Sequence, residues 1–384
     1  MRTPLILRSA GNLDFLFVLP WFAGEQGGTS FPVMPGVGVE FPYSIAVLMA
    51  YLEKQGISTA LLDLGLECDP QRMLRTVLIQ RRPRIVGISC FSANISCAEV
   101  VAQTVKEMTP NTPVVLGGFH ASAMPEACLS DYDCFDFVMH GEVELTLPSF
   151  VQDLLNGRVD AATPNLALRT ETGIRVNPQG PIIEQLDDLP FPALDKVDFR
   201  RYRPLPSNFA QLPTFGLMSS RGCPFKCTFC ATHFQWNKTL RKMSAGHAVD
   251  LVEKMTVDYG TRDFRFYDDI FTIPPHVCTE FCEEVLRRKL RITWNCYSRV
   301  DTITEKLAKL MKRAGCYHMK FGIEAGTQGS LIRIQKHIEI ERAVEAVRMV
   351  KRLGIEVKSS FILGIAGESL DESRQTAEFA RRLA

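Results

Sequence analysis

The segment from Arg221 to Cys230 reads RGCPFKCTFC, which sets Cys223, Cys227 and Cys230 at C-x3-C-x2-C spacing. A four-iron cluster is normally held by one thiolate on each iron, so three cysteines leave one iron with an open position. Catalytic zinc follows the same logic, because a missing protein ligand leaves room for water or substrate. The spacing alone also admits zinc, with His233 completing C-x3-C-x2-C-x2-H.

The other cysteines suggest packing. Cys68, Cys90, Cys97, Cys128, Cys134, Cys296 and Cys316 are scattered among apolar neighbours, where a free thiol behaves as a small hydrophobe. Cys278 and Cys282 fall i,i+4 on a predicted helix whose apolar face includes Val277, Phe281, Val285 and Leu286.

Two series of elements must position these residues. The first runs LDFLFVLP, ISTALLDL, RIVGISCF, TPVVLGGF and FDFVMHG, with helical stretches such as PYSIAVLMAYLEKQG between them. Continuous apolar runs alternating with helices predict a doubly wound, five-stranded parallel sheet in an α/β domain over residues 10–157. A stretch rich in Pro and Asp follows and reads as a linker over 158–208. The second series, over 209–384, has five β/α units, and Gly260, Gly315 and Gly354 stand where each closes a helix. The series stops on a helix, which suggests a truncated barrel. The cysteines fall just past its first strand, on the rim where β/α barrels place their chemistry.

At 384 residues, 46% apolar and 23% charged, the chain can bury two cores. A formal net charge of +1 gives no general pull toward nucleic acid or anionic membrane. The apolar run Leu13–Ala23 is broken by Asp14 and Pro20 and reads as a buried strand, and no run is long enough to span a bilayer. Without an export signal the expected compartment is the cytoplasm, where cysteine clusters more often mean metal or catalysis than disulfides.

With GLMSSRG before it, CPFKCTFC resembles the signature of the radical S-adenosylmethionine superfamily, in which an aromatic residue precedes the last cysteine. The resemblance extends over Thr214–Ala384 as a partial (β/α)6 barrel. It implies that Cys223, Cys227 and Cys230 hold a [4Fe–4S] cluster whose fourth iron is chelated by S-adenosylmethionine. An electron from that cluster then yields a 5′-deoxyadenosyl radical. By position, Asp268 or Asp269 in FRFYDDIFT matches the family's contact to the amino group, although many members carry Gly-Gly-Glu there. Glu324 in FGIEAG matches the ribose-binding carboxylate. Gly364 and Gly367 in FILGIAGES match the segment that passes the adenine, and Arg299 is the candidate for the methionine carboxylate.

Placed before such a barrel, the first domain resembles the cobalamin-binding domain of the cobalamin-dependent members. Doubly wound sheets bind ligands beyond the carboxyl ends of their strands. The resemblance therefore assigns Ser92, Gly117, Gly118, His120, Gly141 and Glu142, in SCFSANIS, GGFHASAMPE and HGEVE, to cobalamin. The D-x-H-x-x-G motif that supplies a cobalt ligand elsewhere is absent, so His120 is not assigned to the metal. The implied activity is radical methylation of an unactivated carbon or phosphorus in a small natural product, lipid or tetrapyrrole, with electrons from a flavodoxin or ferredoxin. One alternative keeps both cofactors but closes a ring or rearranges the substrate, and another is a non-enzymatic metal-binding or sensor protein.

Overall fold

The computed structural model describes Ile6 and residues 13–22, 38–236 and 238–384, so the expected first domain at 10–12 and 23–37 lies outside the described residues. The chain divides into two compact units. One comprises Met1–Glu184, Asp188–Pro204 and Phe234–Asn237, and the other comprises Gln185–Asp187, Leu205–His233 and Lys238–Ala384.

The first unit contains β1 (Phe15–Leu19), α1 (Tyr43–Lys54), β2 (Thr59–Asp63), α2 (Pro70–Arg81), β3 (Ile85–Ser89), α3 (Ile95–Met108), β4 (Val114–Gly117), α4 (Phe119–Ala123), α5 (Pro125–Ser130), β5 (Phe137–Met139), α6 (Leu147–Leu155), β6 (Leu166–Thr170) and β7 (Gly173–Val176). Its sheet order is β2-β1-β3-β4-β5-β6-β7. The first five strands are parallel, as their apolar runs require, and the order reverses beside β1. Leu16, Val18, Val86, Val114 and Leu116 are fully buried, which fits strands covered on both faces. Helix starts follow local chemistry: Pro70 opens α2, and the Asp69 side chain accepts from the Arg72 amide.

Two strands were not expected. The span 158–208, read as a linker, contains β6 and β7, an antiparallel hairpin that extends the sheet to seven strands. Strand β7 is largely exposed, so it shows no apolar run. The hairpin is anchored by Arg169, which donates to the carbonyls of Phe135, Leu129 and Tyr132.

The second unit contains β8 (Thr214–Leu217), β9 (Ser220–Arg221), α7 (Thr232–Trp236), β10 (Arg241–Lys242), α8 (Ala245–Tyr259), β11 (Asp263–Phe266), α9 (Pro275–Arg287), β12 (Thr293–Ser298), α10 (Glu305–Arg313), β13 (Cys316–Glu324), α11 (Gln328–Arg333), α12 (Ile340–Arg352), β14 (Glu356–Phe361) and α13 (Leu370–Leu383). Helix α7 ends in residues assigned to the first unit. The main sheet runs β14-β13-β12-β11-β8, all parallel, while β9 and β10 form a separate antiparallel ribbon.

Alternation along the strands sends Phe266, Trp294, Met319 and Phe321 to one face, where Phe266 and Trp294 meet Phe281 of α9. Removing Trp294, fully buried with its indole nitrogen donating to the Ala314 carbonyl, would cost about 3–5 kcal/mol. The opposite face, the barrel interior, carries Arg265, Tyr297, Lys320 and Lys358 at alternating positions. Gly260, Gly315 and Gly354 all adopt positive φ at helix ends. Cys278 and Cys282 are buried in α9 beside Phe281 and Val285, whereas Cys68 is exposed and so is not a core thiol.

Candidate functional site

The cysteine loop, residues 222–231, leaves the sheet beyond β9 and turns at Gly222, which has φ +81°. Its backbone is fixed by the Thr228 amide donating to the Ile334 carbonyl at 3.0 Å and the Cys230 amide donating to the Cys227 carbonyl at 3.2 Å. Two phenylalanines pin it from the side. Phe225 lies 3.6 Å from the Arg299 guanidinium carbon, and Phe229 lies 5.7 Å from the Lys336 ammonium. Cys223, Cys227 and Cys230 are half-buried free thiols. Burial pushes the Cys223 thiol up to about 11, with Asp269, Cys230 and Cys227 adding to the effect and a backbone bond from Phe225 opposing it.

Among the described residues, no group of three or more His, Cys, Asp or Glu side chains converges to hold one metal ion. A cubane cluster makes no such demand, since each thiolate holds its own iron. His233, the fourth ligand of the zinc alternative, lies exposed on α7. Three half-buried thiols on one pinned loop therefore suit an iron–sulfur donor set.

The structure separates the two candidate aspartates. Asp268 is fully buried, and its carboxylate accepts from the Ser219 amide at 2.7 Å, the Ser219 hydroxyl at 2.7 Å and the Ser220 hydroxyl at 2.6 Å. The Lys242 ammonium stands 3.9 Å from the same carboxylate. Asp268 thus holds the backbone that leads into the cysteine loop. Asp269 points the other way and accepts from the Thr232 hydroxyl at 3.0 Å. It reaches solvent, and partial desolvation, with the Asp268 charge adding to it, pushes its carboxyl up to about 6 against the Thr232 bond.

Glu324 ends β13 in a left-handed conformation, φ +75°, that a side-chain-bearing residue adopts only at a cost. Burial raises its carboxyl, while Lys336, 3.3 Å away, pulls it back. Arg299 is held by protein partners. Its guanidinium is bidentate to Asp301, with two contacts of 2.9 Å, and donates to the Lys336 carbonyl at 2.9 Å. Through the Phe225 ring these bonds also brace the loop. Arg299 and Lys336 together connect the cysteine loop to Glu324.

Gly364 and Gly367 both have positive φ in the turn after β14. Glu368 organises that turn, accepting from the amides of Gly364 and Ile365 and from the hydroxyls of Ser373 and Ser330. Burial works against its ionisation, but these bonds hold its carboxyl below the usual range. No heavy atom lies within 4 Å of where a Cβ on Gly364 would stand, so a flat ligand can approach the backbone there. Lys336 and Asp301 carry no motif signal, and Glu368, although it lies inside FILGIAGES, is not singled out by that segment.

In the first unit, the assigned residues gather at the carboxyl ends of β3, β4 and β5. The Ser92 hydroxyl lies 2.9 Å from His120 Nδ1, and burial lowers the His120 imidazole. Gly118 turns at φ +93°, where a Cβ would stand 2.6 Å from the Cys90 carbonyl, while Gly117 keeps ordinary clearance. The Gly141 amide donates to the Ser122 hydroxyl at 2.9 Å, and its carbonyl accepts from Gln235 at 2.7 Å. Glu142 is buried, and His140 is turned to the Asn177 carbonyl at 3.0 Å. Phe91 and Phe119 stack at 5.6 Å and 12°, with Phe91 52% exposed. The space beside Gly118 and Gly141 is filled by Cys90 and Gln179, so it is the exposed Phe91 face that suits a large flat ligand such as a corrin.

Comparison with known proteins agrees with both halves. The Radical SAM superfamily profile matches residues 217–380, and the B12 binding domain profile matches residues 36–151. An uncharacterized methyltransferase of Pyrococcus horikoshii is 33% identical over 302 residues, covering 78% of this chain and 64% of its own length. The anaerobic magnesium-protoporphyrin IX monomethyl ester cyclase of Rubrivivax gelatinosus is 29% identical over 348 residues, covering 88% and 62% respectively. The chain therefore spans less than two thirds of either relative. Among solved structures, the radical S-adenosylmethionine methyltransferase TsrM from Kitasatospora setae, with cobalamin and a [4Fe-4S] cluster bound, superposes with a TM-score of 0.77 at 19% identity. That match covers 97% of this chain and 70% of TsrM. Among the described residues no helix is long and apolar enough to cross a membrane.

Proposed function

The chain belongs to the radical S-adenosylmethionine enzymes that carry a B12-binding domain, and from that premise we propose that it methylates an unactivated carbon or phosphorus centre of a small-molecule substrate. The observation that supports this reading best is the cysteine loop, which carries three half-buried free thiols at C-x3-C-x2-C spacing. When bound, the cluster supplies the electron that splits the sulfonium of S-adenosylmethionine, and cobalamin carries the transferred methyl group.

The protein's own residues hold and orient. Cys223, Cys227 and Cys230 are the cluster ligands, and Phe225 and Phe229, seated against Arg299 and Lys336, keep the loop in place. Asp269, open to solvent where Asp268 is not, accepts from the amino group of S-adenosylmethionine. Glu324 accepts from the ribose hydroxyls, and Lys336 favours its ionised form against burial. The turn at Gly364 and Gly367 lies along the adenine. Ser92, Gly117, Gly118, His120 and Gly141 border the cobalamin. A flavodoxin or ferredoxin delivers the electron in the cytoplasm.

The test is to reconstitute the chain with iron, sulfide and cobalamin, then add reductant and S-adenosylmethionine bearing a deuterated methyl group. Wild-type protein should form 5′-deoxyadenosine, Cys227→Ala should not, and the deuterated methyl should appear in product. Deoxyadenosine formed at an equal rate without bound cobalamin would sink the methylation half of this reading.

A further inference from the structure

Four neighbouring strands of the second unit present a belt of basic and phenolic side chains on the barrel's interior face. Tyr297, Lys320 and Lys358 are register partners across β12, β13 and β14, so they stand side by side at one level. Arg265 of β11 reaches the same level by donating to the Tyr297 hydroxyl at 3.1 Å. Gly216, its register partner on β8, leaves room that the Tyr267 phenol fills, and the Arg265 guanidinium carbon lies 5.3 Å from that ring's centroid.

The arrangement is costly as it stands. Like charges at directly opposed positions of a sheet repel, and Lys320 is only 4% exposed. Lys320 donates to the Asn208 side-chain carbonyl at 3.0 Å and lies 5.0 Å from the Tyr297 ring centroid; Lys358 reaches the Ser207 hydroxyl at 3.5 Å. Neither lysine has a carboxylate partner among the described residues. Of the acidic groups on this face, Glu324 sits higher on β13 and is paired with Lys336 at 3.3 Å, while Asp263 and Glu356 sit lower on their strands. Asp263 accepts from the Thr293 hydroxyl and the Ala210 amide, and Glu356 is exposed at the level of His318. Burial, then Arg265 and Lys358, draw the Lys320 ammonium down to about 7.

A second observation points the same way. His318, two residues before Lys320 on the same face of β13, is 4% exposed and has an Nδ1 with no hydrogen-bond partner. The ring also makes a backbone hydrogen bond at Ser207 and lies 6.0 Å from the Tyr317 ring. A buried, unpartnered ring nitrogen next to two lysines is an incomplete polar site.

We propose that this belt receives an oxyanion of the substrate, a carboxylate or a phosphoryl group, with Lys320 and Lys358 supplying charge and Tyr297 and His318 supplying hydrogen bonds. Such an anion restores the charge on Lys320 and relieves its repulsion with Lys358. The inference deepens the proposed function, since it names the class of substrate as anionic, and it rests on that reading only for calling the anion a substrate.

The test is calorimetric titration of the cluster- and cobalamin-loaded chain with sodium phosphate, and separately with sodium acetate, at constant ionic strength in chloride. At least one of the two should bind saturably, and which one does so assigns the oxyanion. Lys358→Gln and Lys320→Gln should each weaken binding at least fivefold. Lys358 is exposed, so its variant keeps the test valid even where Lys320→Gln fails to fold. No saturable binding of either anion, or unchanged affinity in Lys358→Gln, overturns the site. Deoxyadenosine formation, measured on the same samples, reports on the catalytic reading independently: its absence in wild type with anion binding intact overturns that reading and leaves this site standing.

Discussion

The Arg299 guanidinium lies over the Phe225 ring, with 3.6 Å between its central carbon and the ring centroid, while its nitrogens hold Asp301 and the Lys336 carbonyl. One buried cation thus clamps the cysteine loop from below and fixes the residue that pairs with Glu324. The loop's shape depends on side chains far away in sequence.

Replacing that cation separates charge from geometry. Arg299→Lys keeps the charge but loses the planar fork and the stacking, so it is not a conservative change. It should cost about 2 kcal/mol of stability in denaturant titration through lost charged hydrogen bonds. Iron content after reconstitution should fall below about two per chain, against about four for a full cluster. Full iron loading in the variant would show that the clamp is dispensable.

The adjacent aspartates give opposite outcomes. Asp268→Asn leaves Lys242 beside a neutral group in a dry site and should cost about 3 kcal/mol. Asp269→Asn should change stability by less than about 0.5 kcal/mol. Its affinity for S-adenosylmethionine should fall about tenfold, as expected for one charged hydrogen bond. Equilibrium dialysis against S-adenosylmethionine reads the difference. A reversed pattern would return Asp268 to the ligand.

This pair also shows where sequence reasoning ran out. The cysteine spacing and the FGIEAG strand end were readable because their information is local. So were the five buried parallel strands, each an unbroken apolar run. Asp268 and Asp269 lie just past the end of β11, where the chain bends, and nothing in FRFYDDIFT says which of them is closed in by Ser219 and Ser220, some fifty residues earlier. The roles of Lys336, and of Glu368 inside FILGIAGES, were unreadable for a related reason. Their roles exist only once Glu324 and the amides of Gly364 and Ile365 are brought to them. The β6–β7 hairpin escaped notice because its outer strand is exposed.

Gly322 supplies a steric probe of Glu324. A Cβ there would stand 2.2 Å from Glu324 Oε1 and 3.3 Å from Lys336 Nζ. The obstructing atom is the end of a flexible side chain, so Gly322→Ala should fold with a loss of no more than about 1 kcal/mol. The carboxylate must move, however, and affinity for S-adenosylmethionine should drop about tenfold while iron content stays normal. Unchanged affinity would remove Glu324 from the ribose contact.

His318 gives a pH signature that belongs to the barrel interior and not to the cluster. Burial, together with the charges of Lys320, Lys358 and Arg265, lowers its imidazole to about 4, against 6.5 for the free side chain. Between those values the unfolded chain binds a proton that the folded chain refuses, so stability rises with pH there and is lost as pH falls from 6.5 toward 4. The full contribution is on the order of 3 kcal/mol. Other groups titrate in the same range: burial raises Asp63 to about 7, which acts in the opposite sense. The clean observable is therefore the difference between wild type and His318→Gln in urea titrations from pH 7 to pH 4.5. Wild type should lose more stability than the variant over that interval, and parallel curves would show that His318 is not held neutral by its surroundings.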